Sequence, residues 1–244
     1  MEDNDKLKYI RHNLVQGFGI PIVLLHGWGG SRASFQALEK NMIESGHTVI
    51  TVDFAGFGQS EAPPSSWGIY DYANSVKVLF DNLDYGEYYV VGHSFGGRVG
   101  IILGKDPRVK KLILCSAAGL KPRRSIRYYF KVWSYKLKKK MGISSKNAGS
   151  SDYKKLSPQM KEVFVRVVNQ YLNEEAKQIT ANTLIVWGKL DDTTPLYMAK
   201  KLHKKIKGSG LIVLDNAGHY SYMQHQAKFA AIAREFFRQY RDIF

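Results

Sequence analysis

Short apolar runs recur along the chain at Ile20 to Leu25, Thr48 to Val52, Tyr88 to Val91, Leu112 to Cys115, Thr183 to Trp187 and Leu211 to Leu214. Each is β-branched or aliphatic and none alternates strictly with polar residues. That is the pattern of strands buried on both faces of a parallel sheet. A more polar piece around Lys6 to His12 alternates weakly and predicts an edge strand. Between the runs, apolar positions fall at helical spacing. Phe35, Leu38 and Met42 share one face, and Ala73, Val76, Leu79, Phe80 and Leu83 share another. Phe229, Ile232, Ala233, Phe236, Phe237 and Tyr240 form the stripe of a last helix that docks on the sheet. Strand and helix in alternation predict an α/β fold with a mostly parallel, doubly wound sheet.

The rhythm breaks once. From Gly119 to Thr180 no buried strand is readable for about sixty residues, and two helical patterns take its place. One runs roughly from Arg123 to Lys140 and is rich in Tyr, Phe, Trp and Lys. The other starts at Ser157-Pro158, a capping residue followed by proline at the first helical position, and carries Met160, Phe164, Val167, Val168 and Tyr171 on one side. The small, polar stretch Ser144 to Ser151 reads as a loop between them. Residues 1–120 and 181–244 therefore read as one core, and 121–180 as a helical insertion. At 244 residues and 44% apolar content the chain can bury one large core.

Charge alters this picture because it is unevenly spread. The formal net charge is +15, and residues 121 to 180 hold fifteen Lys or Arg against four Asp or Glu, so about +11 of it lies in the insertion. Cys115 is the single cysteine, which excludes a disulfide framework and a cysteine-rich metal cluster; in an apolar run it reads as a small buried hydrophobe. No pair of histidines stands at ligand spacing with a glutamate, so no metal and no cofactor are expected. The opening Met1-Glu2-Asp3-Asn4-Asp5 is acidic with no apolar run behind it, which predicts neither a secretory signal nor a membrane anchor and a cytoplasmic location.

Candidate chemistry sits where the apolar runs end. Gly92-His93-Ser94-Phe95-Gly96 follows one run and precedes a helical stretch, the setting of a sharp strand-to-helix turn that exposes a serine hydroxyl. Alone the motif is weak, since chance supplies it in roughly one chain in ten of this length. Four further loops give it context. His26-Gly27-Trp28-Gly29-Gly30 ends the first buried run and exposes main-chain N–H groups, making the Trp28 and Phe95 N–H groups the natural donors to a developing oxyanion. Asp53 to Ser60 is a tight glycine turn, Gly188 to Pro195 offers an acid, and Asp215 to His219 offers a base. Ligands of open α/β sheets bind at the carboxyl ends of strands, where all five loops belong.

From about Ile20 onward these motifs resemble the α/β-hydrolase superfamily, whose order of serine, acid and histidine the chain repeats. The resemblance implies Ser94 as nucleophile, His219 as general base and Asp191 as the acid that orients it. Asp191, rather than Asp192, has the family spacing from Gly188 and Pro195. An acid placed after the earlier strand is closed off, because no Asp or Glu occurs between Pro107 and Ser151. Within the family, an insertion at 121–180 forms a helical cap over the site. Dehalogenases and epoxide hydrolases of this fold use an aspartate nucleophile, and Ser94 counts against both.

Other residues carry two readings each. His26 reads as a brace of its loop, while His12, His47, His203 and His225 have no motif around them. His93 either lines the substrate pocket or fills the elbow. Arg98 is either a helix residue bonded to a carboxylate or carbonyl, or meets a substrate carboxylate as in the menaquinone-pathway lyase branch, whose members carry tyrosine where this chain has His93. Asp53 and Asp215 read as turn residues. In the insertion, Tyr128, Tyr129, Phe130, Trp133 and Tyr135 are candidates for an apolar pocket, with Tyr129 and Trp133 singled out for substrate contact. Its basic residues are a solvated face, a field that steers an anionic substrate, or a peripheral contact of Arg123, Arg124, Lys138, Lys139 and Lys140 with an acidic membrane. Nucleic acid is not an expected partner, since no recognition motif accompanies the charge. The expected substrate is a small-molecule ester. The alternatives are carbon–carbon hydrolysis or a lyase reaction on the same residues, and a ligand-binding receptor of low turnover.

Overall fold

The computed structural model describes residues 7–123 and 156–238. Seven strands form one sheet: β1 (Arg11–Val15), β2 (Phe18–Leu25), β3 (His47–Asp53), β4 (Tyr88–His93), β5 (Val109–Cys115), β6 (Asn182–Gly188) and β7 (Gly210–Leu214). Their spatial order is β1-β3-β2-β4-β5-β6-β7, with β1 antiparallel to β3 and the rest parallel. The six apolar runs are β2 to β7, each extended at one or both ends. Strand β5 also takes in Lys110 and Lys111, polar residues at the edge of the buried layer, and its pairing with β4 shifts register across Lys110.

The edge strand lies later than the weak alternation at Lys6 to His12 predicts. Leu7 to Tyr9 form a 3-10 turn, closed by Ile10 N–H on the Leu7 carbonyl at 3.2 Å, and the Tyr9 ring packs 5.2 Å from Trp67. Pairing with β3 begins only at Arg11, opposite Asp53, and ends with Val15 opposite Val49.

Helices cover both faces. On one, α1 (Gln36–Glu44) buries Leu38 and Met42, and Phe35 in the turn before it is buried beside them. They join Phe229, Ala233 and Phe237 of α6 (Gln226–Phe237) against Ile22, Leu24, Val91 and Val186. Tyr240 falls outside the described residues. The other face carries α2 (Ile69–Leu83), α3 (Phe95–Leu103) and α5 (Leu196–Lys205), packed around Val23, Leu25, Val90, Leu112 and Ile185, and α4 (Pro158–Asn169) adds Met160, Val163 and Val167 to the same cluster. Burial of more than fifty apolar side chains in two layers, at about 25 cal/mol per Å², is the main term holding the sheet. Among the described residues, no helix is long and apolar enough to cross a membrane.

Neighbouring strands β2 and β4 send their chains to opposite faces, into α1 and α3. The crevice between those departures is where open α/β sheets accept ligands. Helix α4 lies near it. Ser157 Oγ accepts the Met160 N–H at 3.3 Å and Pro158 holds the first position, so the helix starts where the sequence predicts. Its Met160, Val163 and Val167 are buried in the core. Among the described part of 121–180 there is no strand. The first predicted helix of that insertion and the loop Ser144 to Ser151 lie outside the described residues, apart from Arg123.

Candidate active site

Ser94 sits between β4 and α3 at φ 50° and ψ −105°, a left-handed conformation that a non-glycine residue adopts only where its surroundings enforce it. The enforcement is visible. Ser94 N–H bonds the Cys115 carbonyl at 3.1 Å, and its own carbonyl accepts from Arg98 N–H at 3.2 Å and Ala118 N–H at 3.0 Å. The flanking glycines are needed for close approach: a Cβ at Gly92 would lie 2.5 Å from the Gly96 carbonyl oxygen, and one at Gly96 would lie 2.0 Å from that of Leu25.

The loops after β6 and β7 bring an acid and an imidazole to this hydroxyl. His219 Nε2 stands 2.9 Å from Ser94 Oγ, and its Nδ1 stands 3.0 and 3.2 Å from the two oxygens of Asp191. Asp191 is 4% exposed and Asp192 is exposed. Thr193 and Thr194 N–H groups donate to Asp191 Oδ1 at 3.0 and 2.8 Å, and the Thr194 hydroxyl donates to Oδ2 at 2.8 Å. Burial by itself would raise the Asp191 carboxyl, but the bonds from His219 and Thr194 outweigh it and hold the group below its ordinary range. An ionised carboxylate on Nδ1–H leaves Nε2 as an acceptor, able to take the serine proton as Oγ attacks an electrophilic carbon.

Sequence reasoning missed Thr194. The available signal was a small hydroxyl residue three positions after the acid, the spacing at which a side chain and its own N–H can both turn back to a carboxylate. Trp187 Nε1–H fixes that loop from below by donating to the Thr194 carbonyl at 2.6 Å.

Two other histidines are buried and neutral. His26 Nδ1–H donates to the Gly27 carbonyl at 2.8 Å and Nε2 accepts the Phe54 N–H at 3.1 Å, which braces the loop after β2. Burial pushes its pKa down to about 4, against smaller opposing effects of the Gly27 carbonyl and Asp53. The His26 carbonyl in turn accepts Gly96 N–H at 3.0 Å, tying this loop to the start of α3. Phe95 N–H is the first of that helix and so has no partner within it. His93 is 1% exposed, and burial followed by the nearby His219 pushes its pKa down to about 3. Its Nε2–H donates to the His219 carbonyl at 3.0 Å, while Nδ1 meets no partner among the described residues.

The hydroxyl opens on a cleft of about 750 Å³. Trp28, Phe57, Phe95, Phe164 and Val168 form apolar wall, with the Trp28 ring edge-on to Phe57, Phe95 and Phe164 at 4.9 to 5.1 Å. Phe164 and Val168 are only partly buried: α4 turns them to the cleft and Met160, Val163 and Val167 to the core. Arg98 also borders this cleft, yet its guanidinium is bonded to main-chain carbonyls, of Val167 at 2.7 Å, Gln170 at 2.9 Å and Val168 at 3.4 Å. Tyr128, Tyr129, Phe130, Trp133, Tyr135, Arg124, Lys138, Lys139 and Lys140 lie outside the described residues.

Away from the cleft, Asp53 accepts the Arg32 and Gln59 N–H groups at 2.7 and 3.1 Å and shapes a turn, and Asp215 pairs with Lys189 at the surface. Cys115 is buried, its thiol pushed up to about 12 by burial. Among the described residues, no three His, Cys, Asp or Glu side chains stand together to hold a metal ion.

Comparison with known proteins gives concordant matches. A family model described as alpha/beta hydrolase fold matches residues 20–140, and one described as TAP-like protein matches 161–241. The AB hydrolase superfamily protein YisY of Bacillus subtilis is 27% identical, over 90% of this chain and 92% of its own. A 2-hydroxy-6-oxononadienedioate/2-hydroxy-6-oxononatrienedioate hydrolase of Escherichia coli is 26% identical, over 88% of this chain and 86% of its own. Among solved structures, an esterase from Exiguobacterium antarcticum superposes with a TM-score of 0.75 at 23% identity, covering 93% of this chain and 94% of that one.

Proposed function

The chain belongs to the α/β-hydrolase superfamily, and on that premise we propose that it is a serine hydrolase cleaving carboxylic esters of small or medium-sized substrates through an acyl-serine intermediate. One observation carries the reading: an unbroken hydrogen-bonded series from Ser94 Oγ through His219 to a buried Asp191, opening on an apolar cleft. Ser94 Oγ attacks the acyl carbon while His219 Nε2 takes its proton, and Asp191 keeps the imidazole in the right tautomer and stabilises its charged form. Main-chain N–H groups of Trp28 and Phe95 receive the developing oxyanion. His219 then gives the proton to the departing alcohol, and water repeats the sequence on the acyl-enzyme. No metal or cofactor takes part in any of these steps. Residues 121–180 act as the cap, with α4 as the wall that excludes water and selects the acyl group.

The similarity to the Escherichia coli hydrolase supports a second reading, cleavage of a carbon–carbon bond next to a carbonyl by the same residues. A lyase reaction built on Arg98 holding a substrate carboxylate has less support, because three N–H groups of that guanidinium are occupied by carbonyls. Labelling with a fluorophosphonate, alone and after Ser94→Ala, together with turnover of p-nitrophenyl esters of rising chain length, tests the proposal. The expected result is labelling that Ser94→Ala abolishes, with ester turnover. Labelling that survives the substitution sinks the mechanism, and labelling without ester turnover turns the assignment to the carbon–carbon reading or to a low-turnover receptor.

A further inference from the structure

Arg98 is 7% exposed and stands one helical turn past Ser94, its N–H bonded to the Ser94 carbonyl. Among the described residues it meets no carboxylate. Its three bonds all end on carbonyls at the C-terminal end of α4, some seventy positions away, where the helix dipole is negative and the last turn of a helix leaves most C=O groups short of internal partners; the Val167 carbonyl accepts the Gln170 N–H at 3.2 Å as well. A guanidinium is suited to this, since its planar fork satisfies several acceptors at once. The same turn is attached a second time: Gln170 Oε1 accepts the Ile69 N–H at 2.7 Å, at the start of α2. Close packing completes the joint, with Leu172 N–H on the Gly119 carbonyl at 2.9 Å and no more than 3.3 Å between Arg98 Cγ and the position a Gly119 Cβ would take.

We propose that Arg98 is a specificity-determining positioning residue: by clamping the C-terminal turn of α4 to the helix that follows Ser94, it sets the distance between the nucleophile and the cleft wall formed by Phe164 and Val168. The clamp rests on the ester-hydrolase reading for its consequence, although not for its geometry. The burial of Arg98 pushes its pKa down only to about 10, so the clamp stays charged at neutral pH. Selection of the acyl group then depends on a residue that need not touch it. Substrates long enough to reach Phe164 and Val168 feel the loss of the clamp; those that end near Ser94 feel it less.

The test compares p-nitrophenyl acetate and octanoate on the full chain, for wild type, Arg98→Met, Arg98→Lys and Phe164→Ala. With the clamp removed in Arg98→Met, KM for octanoate rises about five- to tenfold, more than kcat falls and more than KM for acetate rises, as expected for the loss of two or three charge-assisted bonds. Phe164→Ala shifts the chain-length preference in the same direction, and Arg98→Lys, which keeps the charge but lacks the fork, falls between. Hydrogen exchange at the amides of α4 provides a readout that needs no activity: these amides exchange faster in Arg98→Met while those of β4 do not. An unchanged chain-length preference together with unchanged exchange in α4 overturns the proposal. So does a selective loss of activity on an ester bearing a free terminal carboxylate with the neutral esters unaffected, since Arg98 would then act on substrate directly. If Arg98→Met does not fold, Arg98→Lys is read on the same scale. A wild-type protein that neither labels nor turns over esters fails the hydrolase reading alone, and exchange in α4 still judges the clamp.

Discussion

The cleft is flanked by two buried charges of opposite sign that are stabilised by different means. Asp191 draws its partners from nearby chain, Thr193 and Thr194, and from one imidazole on the neighbouring loop after β7. Arg98 draws all of its partners from a helix end about seventy residues on. Burial works against the charged form of each; at Asp191 hydrogen bonds outweigh it, whereas at Arg98 burial prevails and lowers the pKa to about 10, opposed only in part by Tyr171. The outcomes differ because of what the partners can do. His219 can gain and lose a proton, so the negative charge of Asp191 is coupled to a group that moves protons. Peptide carbonyls cannot, so the positive charge of Arg98 holds structure in place. On the proposed mechanism, only the buried charge whose partner titrates takes part in the chemistry.

That contrast can be broken most directly at Asp191. Asp191→Asn keeps the shape but favours the wrong tautomer of His219, and kcat on an activated ester is expected to fall about 10⁴-fold, while Arg98→Lys costs under about tenfold. Equal losses would erase the distinction. A second measurement concerns His26, buried in the neutral form. Its pKa is about 4 in the fold against 6.5 for an ordinary histidine, so the unfolded chain binds the extra proton first. The stabilisation from this group is complete above pH 6.5 and is lost as pH falls toward 4, in total roughly 3 kcal/mol. His93 acts in the same direction. Tm followed from pH 7 to 4 should decline more steeply in wild type than in His26→Asn, and parallel curves would contradict the assignment.

Thr194→Val removes one donor from Asp191 at nearly constant volume, and kcat/KM should drop about tenfold, corresponding to roughly 1 to 2 kcal/mol for a buried bond to a charged group. A silent Thr194→Val would mean that the two main-chain donors suffice. His93→Phe deletes the bond to the His219 carbonyl and is expected to lower kcat about threefold, with His93→Gln recovering most of it because its amide can reach the same carbonyl. Identical behaviour of the two variants would remove His93 from the support of His219. At the surface, the pair Lys189 and Asp215 is open to solvent, and Lys189→Ala should leave Tm unchanged within error of a thermal melt.

Much of the fold was legible in the pattern of apolar runs, because a strand buried on both faces has to be apolar along its length, as Val90, Val91 and Leu112 to Leu114 are. The edge strand was the element least readable: Arg11 to Val15 is exposed or half-buried, and its partner β3 rather than its own composition decides where pairing starts. In the cleft, the loops carrying Ser94, Asp191 and His219 were readable from glycines and strand ends. Thr194 and Gln170 were not, since each acts through a hydrogen bond that leaves no periodicity behind. The face of α4 was half readable. Helical spacing groups Phe164 with Met160, but the structure turns Phe164 to the cleft and buries Val163 instead.

By itself, then, the sequence determined the alternation of strands and helices, the strand ends at which Ser94, Asp191 and His219 stand, and the concentration of positive charge in residues 121 to 180. These follow from local composition and spacing, which any fold must respect. Only the tertiary structure decided that Arg98 spends its charge on the end of α4, that Thr194 turns back to Asp191, and that His93 reaches the His219 carbonyl. The long-range pair contacts among these join residues far apart in the chain, and Thr194 depends on how its loop closes. A one-dimensional pattern carries no record of either until packing brings the groups within hydrogen-bonding distance.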